Sequence, residues 1–88
     1  ENETEFAFAL DSKKRLRGRF FIEPKDKEGK EYRIIYNSNP YIAERNSNLN
    51  EILSKMLEAG EKELPVLNNK HQFLGIIKLD DIFSEVNK

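Results

Sequence analysis

Along EFAFAL, Phe6, Phe8 and Leu10 alternate with Ala7 and Ala9, a period of two that predicts a strand with one strongly apolar face. Asp11 to Arg15 is a polar turn, and Leu16 to Ile22 is a second strand, so the chain opens on a β-hairpin. Gly18 falls inside that second strand, where glycine marks a bulge or a close approach. Glu23 to Glu31, EPKDKEGKE, is too charged to bury and reads as an exposed connector. Tyr32 to Tyr36, YRIIY, is a short β-prone run that Asn37 to Pro40 breaks, and Tyr41 to Ala43 is a further short strand.

From Asn48 the period changes. Leu49, Ile52, Leu53, Met56 and Leu57 follow the i, i+3, i+4, i+7, i+8 spacing of one helix face. Asn48 and Glu51 have capping-box spacing, Ser47 is an equally good cap, and Gly60 suits the C′ position. Glu63 to Leu67 is then a strand, Asn68 to His71 a turn and Gln72 to Ile77 its paired strand. Asp80 to Val86 is a closing helix with Ile82, Phe83 and Val86 turned inward. Pro65 is expected to put its strand at a sheet edge or a bulge.

The two hairpins are one pattern written twice. Ala9 to Ile22, ALDSKKRLRGRFFI, overlays Val66 to Leu79, VLNNKHQFLGIIKL, without a gap, and Gly18 and Gly75 set the offset at 57 residues. Leu10 then falls on Leu67, Asp11 on Asn68, Leu16 on Phe73 and Phe20 on Ile77. Such a repeat implies two similar supersecondary units that stack to share a core.

Composition narrows the functional classes. With 88 residues, 15 Lys and Arg against 16 Asp and Glu, and a net charge of −1, no global field favours nucleic acid or an anionic membrane. There is no cysteine, which removes disulfides and thiolate metal sites and is compatible with a reducing cytoplasm. No apolar run approaches a membrane span, so direct membrane insertion is not expected. The inventory also lacks a Gly-rich phosphate loop, a GxSxG motif and a histidine with a readable partner, so the chain is not expected to be an enzyme. Lys14, Arg15, Arg17, Gly18, Arg19, Phe20 and Phe21 interleave basic and aromatic residues, faintly like the central strand of an RNA-recognition motif. That strand should follow a strand-helix-strand unit, and here it lies near the start, so no nucleic-acid partner is expected.

From Tyr41 onward the order is β-α-β-β-α, and the stretch NLNEILSKMLEAGEKELPVLNNKHQFLGIIKLDDIF resembles a CBS domain. Leu49, Met56, Leu64, Pro65, Val66, Gly75, Ile76, Ile77, Asp81 and Ile82 carry the likeness. The resemblance covers roughly residues 40 to 87, and the internal repeat extends it to the first hairpin, which is similar to the back half of a preceding CBS motif. It implies an α+β fold: a CBS-type β-α-β-β-α unit packed with an N-terminal β-hairpin from a partial first repeat. Residues 1–36 would be the partial motif and its charged connector, and residues 37–88 the second motif. Such pairs are attached to transporters, channels and enzymes. TEFAFALDSKKRLRGRF followed by a degenerate motif looks most like the regulatory tail of the ATPase subunit of glycine betaine or proline ABC transporters. Magnesium transporters and chloride channels carry similar pairs.

The resemblance implies a non-catalytic regulatory module with no required cofactor, which modulates transport either by holding an adenine nucleotide such as AMP, ATP or cyclic di-AMP in its cleft or by responding to ionic conditions. Asp81 matches the family's ribose-binding aspartate, and an ionised carboxylate is a strong acceptor for a diol. Asp80 and Asp81 would alternatively cap the last helix and complement its dipole. Lys78 stands where the family has Ser or Thr against phosphate; it would meet phosphate as a point charge, or be a solvated strand-end lysine. Tyr41, Ile42, Ala43, Leu64, Pro65 and Val66 would line the cleft around the base, or be ordinary core. In the first copy Phe21 and Pro24 occupy the Lys78 and Asp81 positions, and neither can serve a nucleotide. His71 is a solvated turn residue, since no second ligand stands at metal spacing. Phe6, Phe8, Phe20 and Phe21 are expected in core or dimer contacts. The implied partners are a second copy of the chain and a transporter ATPase or membrane subunit in the cytoplasm. A dimerisation module that has lost its ligand is the competing reading.

Overall fold

The computed structural model describes residues 5–86, with the side chains of residues 85 and 86 left aside. The chain divides into two compact units, Glu1–Pro40 and Tyr41–Lys88. The first holds β1 (Glu5–Leu10), β2 (Leu16–Pro24) and β3 (Tyr32–Asn37) in one antiparallel sheet of order β1-β2-β3. The second runs β4 (Ala43–Glu44), α1 (Leu49–Ala59), β5 (Glu63–Leu67), β6 (Phe73–Lys78) and α2 (Leu79–Val86), with sheet order β4-β5-β6. The fold is thus α+β, with a β-α-β-β-α unit after an N-terminal hairpin.

Alternation in unit one sorts side chains cleanly onto two faces. Phe6 pairs with Phe21 and Phe8 with Arg19, so these share one face; Ala7 pairs with Phe20, and Phe20 with Tyr36, on the other. Arg19 is 2% exposed. Its guanidinium lies 4.4 Å from the Phe6 ring centroid, 5.0 Å from Phe8 and 4.8 Å from Phe21, so ring faces stabilise a charge that strand alternation turns inward. The expected core aromatics therefore enclose a cation, while Phe20 packs on the opposite face against Tyr36 at 4.7 Å. The charged connector is shorter than expected: β2 runs on through Glu23 and Pro24, and the Lys25 N–H donates to the Glu31 carbonyl at 2.8 Å to close the turn.

The two hairpins share backbone detail at the 57-residue offset. Ala9 pairs with Gly18 and Leu10 with Leu16, leaving Arg17 as an extra residue; Val66 pairs with Gly75 and Leu67 with Phe73, leaving Leu74. The Asp11 carboxylate accepts from the N–H groups of Lys13 and Arg15, each at 2.9 Å, and the Asn68 side chain accepts from those of Lys70 and Gln72 at 2.9 and 3.0 Å. Lys14 and His71 both take left-handed backbone, φ 66 and 64. The glycines differ in one respect. A Cβ on Gly18 would fall inside the Tyr36 phenol, whose hydroxyl donates to the Arg17 carbonyl at 2.9 Å, whereas a Cβ on Gly75 meets nothing.

In unit two the helix signals act as expected at α1. Asn48 is the N-cap and accepts from the Glu51 N–H at 2.9 Å, while Gly60 closes the helix with φ 68. Ser47 is not the cap; its hydroxyl accepts from the Glu44 N–H at 3.3 Å. Ile52 and Met56 enter a core with Ala43, Leu64 and Ile82, against which Val66, Ile77 and Leu79 pack. The predicted stripe is wider than the buried one, since Leu49 and Leu57 are exposed. Phe83 is likewise exposed instead of inward, and the Val86 side chain lies outside the described residues.

Pro65 is a correction. Its strand is the central one of the sheet, not an edge, and the register shift falls one residue later, between Val66 and Leu67. The Leu67 carbonyl accepts from the Arg45 N–H at 2.9 Å, so Leu67 faces β4, and strand alternation turns Pro65 to the same flank. Parallel pairing with β4 covers Val66 and Leu67 alone. The missing N–H thus sits just beyond the last partner that would have needed it.

Truncation of Met56, 1% exposed, to Ala should cost about 2–5 kcal/mol in urea unfolding, with Leu57→Ala nearly silent. Gly18→Ala must evict the Tyr36 ring, losing a hydrogen bond and a ring contact, so it should be less stable than Gly75→Ala by about 1–2 kcal/mol. Equal stabilities would mean that Tyr36 is not seated over Gly18. Donation from the Arg15 backbone N–H, above all, together with the Arg15 guanidinium and the Lys13 N–H, holds the Asp11 carboxyl down to about 2. A depressed carboxylate stabilises the fold above its unfolded value of 3.8, and this contribution is lost as pH falls from there through about 2. Carboxyl-detected NMR titration of Asp11 checks the midpoint.

Candidate functional site

Lys78 and Asp81, the charged residues singled out for nucleotide contact, lie together at one end of the second sheet. Glu63 opens β5 opposite Lys78, the last residue of β6, and the chain turns directly into α2. The Leu79 N–H donates to the Lys62 carbonyl at 2.7 Å, which ties that junction to the start of β5. Lys78, Asp80 and Asp81 are all exposed. Because α2 begins at Leu79, Asp80 and Asp81 are the second and third helical residues and neither is the N-cap; both carboxylates lie in the first turn, where the dipole favours negative charge.

The apolar lining separates into two groups. Ala43 and Leu64 are 0% exposed and belong to the helix-covered core, with Val66 packed against it. Pro65 pairs with Ile76, and Lys78 with Glu63, on the opposite face, so consecutive residues Leu64, Pro65 and Val66 cannot all face one ligand. Pro65 is itself buried. Tyr41 and Ile42 precede β4 instead of forming it. The exposed Tyr41 hydroxyl donates to Glu58 Oε2 at 3.1 Å, and that carboxylate pushes the phenol above its ordinary value. The Ile42 carbonyl accepts from Lys55 Nζ at 3.1 Å.

A cleft of about 180 Å³ opens at the other end of the sheet, lined by Glu44, Arg45, Ser47, Glu51, Asn68 and Asn69 among others. It contains none of the expected nucleotide residues and is smaller than a typical ligand pocket of roughly 300–1,000 Å³. Its two carboxylates, Glu44 and Glu51, outnumber its one cation, Arg45, and so oppose a phosphate. Among the described residues, no group of His, Cys, Asp and Glu could hold a metal ion, and no helix is long and apolar enough to cross a membrane. His71 is exposed in its turn.

Arg19 is the residue that sequence reasoning misplaced, reading it as part of a basic run. Its position offered a signal, since it alternates in register with Phe21 on the face that Phe6 and Phe8 share.

The chain resembles several solved structures, three of them as follows. The cytosolic domain of the Mg2+ channel MgtE in complex with ATP matches with a TM-score of 0.70 at 20% identity, over 91% of this chain and 33% of that one. The soluble part of a magnesium transporter matches with a TM-score of 0.71 at 17% identity, over 93% of this chain and 33% of that one. OpuCA from Staphylococcus aureus matches with a TM-score of 0.65 at 16% identity, over 94% of this chain and 72% of that one. The chain spans about a third of the length of the two magnesium-transport structures. No curated protein sequence matches it. The family model for the CBS domain matches residues 30–88, taking in β3 and the whole β-α-β-β-α unit, and the chain therefore belongs to the CBS domain family.

Proposed function

We propose that this chain is a non-catalytic regulatory module of a membrane transport system, responding to an adenine nucleotide held at the junction of β6 and α2. The observation that carries the reading is the exposed Asp81 carboxylate in the first turn of α2, three residues from the exposed Lys78 ammonium. A carboxylate beside a cation suits a ribose diol joined to a phosphate: the oxygens accept from the hydroxyls and the lysine offsets the phosphate charge. Lys78 stands in for the hydroxyl side chain usual in the family and supplies charge where that residue supplies a directional donor. The MgtE domain crystallised with ATP, and the likeness to OpuCA, support a nucleotide ligand and a transporter parent. The parent we favour is an osmoprotectant ABC transporter ATPase subunit, with a magnesium transporter or chloride channel as alternatives. The first hairpin, with its matching bulge and loop, is on this reading the back half of a preceding motif. Binding would act by shifting the population between two arrangements of the module in a cytoplasmic homodimer.

The second reading is a dimerisation module without a ligand. The full burial of Ala43 and Leu64 favours it, since those side chains belong to the core and leave fewer to sandwich a base.

Thermal melting with AMP, ATP and cyclic di-AMP separates the two. Ligand at 100 times its dissociation constant adds about 2.7 kcal/mol, a rise on the order of 10 °C for a domain of this size. The rise should vanish in Asp81→Asn and shrink in Lys78→Ala. Unchanged melting with every nucleotide leaves the ligand-free module as the answer.

A further inference from the structure

One flank of the first sheet carries no guard. The strand order β1-β2-β3 leaves β3 as an end strand, and all six of its residues are exposed, with Tyr32 at 60% and Ile34 at 69%. At the other end of the sheet β1 is half-buried at Phe6, Phe8 and Ala9. End strands in soluble proteins are blunted by proline, lysine or a bulge, because their unpaired amides template another strand. β3 has none of these. It reads YRIIYN, its register against β2 runs unshifted from Tyr32 to Asn37, and its single charge, Arg33, donates through Nε to Glu23 Oε1 at 2.7 Å and is neutralised there.

The ladder fixes which backbone groups face outward. The Lys25 N–H donates to the Glu31 carbonyl, which makes Pro24 and Tyr32 a pair that exchanges no hydrogen bonds with each other. Alternation from there turns the N–H and C=O groups of Arg33, Ile35 and Asn37 toward β2, and those of Tyr32, Ile34 and Tyr36 toward the open flank. That outward set is symmetric about Ile34. A second β3 running antiparallel meets it with the same set, so that Ile34 opposite Ile34 and Tyr32 opposite Tyr36 each exchange both hydrogen bonds.

The side chains agree with this register. Tyr32, Ile34 and Tyr36 stand on the face that also carries Phe20 and Ile22, and Phe20 already packs on Tyr36 at 4.7 Å. In the pair, the row Ile22, Ile34 continues into Ile34 and Ile22 of the second copy, and the aromatic row Phe20, Tyr36 continues into its Tyr32. On the opposite face Arg33 falls beside Ile35 of the second copy, so no like charges stand opposed. A strand of unrelated sequence satisfies the amides but not these rows, which is what selects a second copy. We propose that the free edge of β3 is an interface between two copies of this chain, which pair antiparallel about Ile34 and join their three-stranded sheets into one.

This deepens the homodimer of the proposed function by giving it a surface, and it uses nothing of the nucleotide site, so its test contains no nucleotide. Sedimentation velocity of the full chain over a concentration series should show a monomer-dimer equilibrium. Hydrogen exchange should slow with concentration at the amides of Tyr32, Ile34 and Tyr36, while those of Arg33 and Ile35, bonded to β2, are slow throughout. Ile34→Lys and Ile34→Glu, at an exposed position, should each leave the melting temperature of the dilute chain unchanged and weaken the dimer roughly tenfold or more, since like charges then oppose each other across the twofold axis. Mixing the two variants should restore association as a heterodimer, because position 34 faces itself. A chain that is monomeric at every concentration overturns the proposal. So does a dimer that both variants leave intact, a dimer whose outward amides exchange at the monomer's rate, or a mixture that stays monomeric. Absence of a dimer beside nucleotide-dependent melting removes the interface and leaves a monomeric sensor standing.

Discussion

Both hairpins of this chain depend on one short loop, used twice, in which an Asx side chain, Asp11 or Asn68, accepts two backbone N–H groups and fixes the hairpin that it starts. The loop forces a left-handed residue, Lys14 or His71, and the extra residue that follows, Arg17 or Leu74, bends the second strand. With register fixed at the loop, strand alternation decides which side chains reach which face. In unit two that alternation delivers Leu64, Val66 and Ile77 to the helices; in unit one it turns Arg19 in among phenylalanines.

The two units use this device toward different ends. Unit two completes a layered core, because a helix precedes its hairpin and another follows. Unit one replaces the following helix with a third strand, whose pairing extends from Pro24 opposite Tyr32 to Arg19 opposite Asn37, with a Glu23–Arg33 ion pair across it. A third strand adds hydrogen bonds but no apolar layer, which is why large side chains stay in contact with water.

Legibility in the sequence followed the range of the interactions. The α1 boundaries were readable because Asn48 and Gly60 act on their own neighbours, and the repeat was readable because Gly18 and Gly75 hold the same place in two strand-turn-strand patterns. The family likeness rested on the same local signals. Burial of Arg19 was missed because a basic run reads as solvated until cross-strand partners are known. The place of Pro65 was missed because its missing donor matters only on the flank where β4 ends. At the candidate site, Asp81 and Lys78 lie at an exposed junction as a strand end and helix start require, while Ala43 and Leu64 were drawn into the core by a packing demand that residue type alone does not reveal.

That proline has a consequence for where the sheet stops. Parallel pairing with β4 covers only Val66 and Leu67, and Pro65, buried next to them without an amide, has nothing to offer a longer ladder, so the residue that looks least suited to the middle of a sheet marks the end of one of its seams.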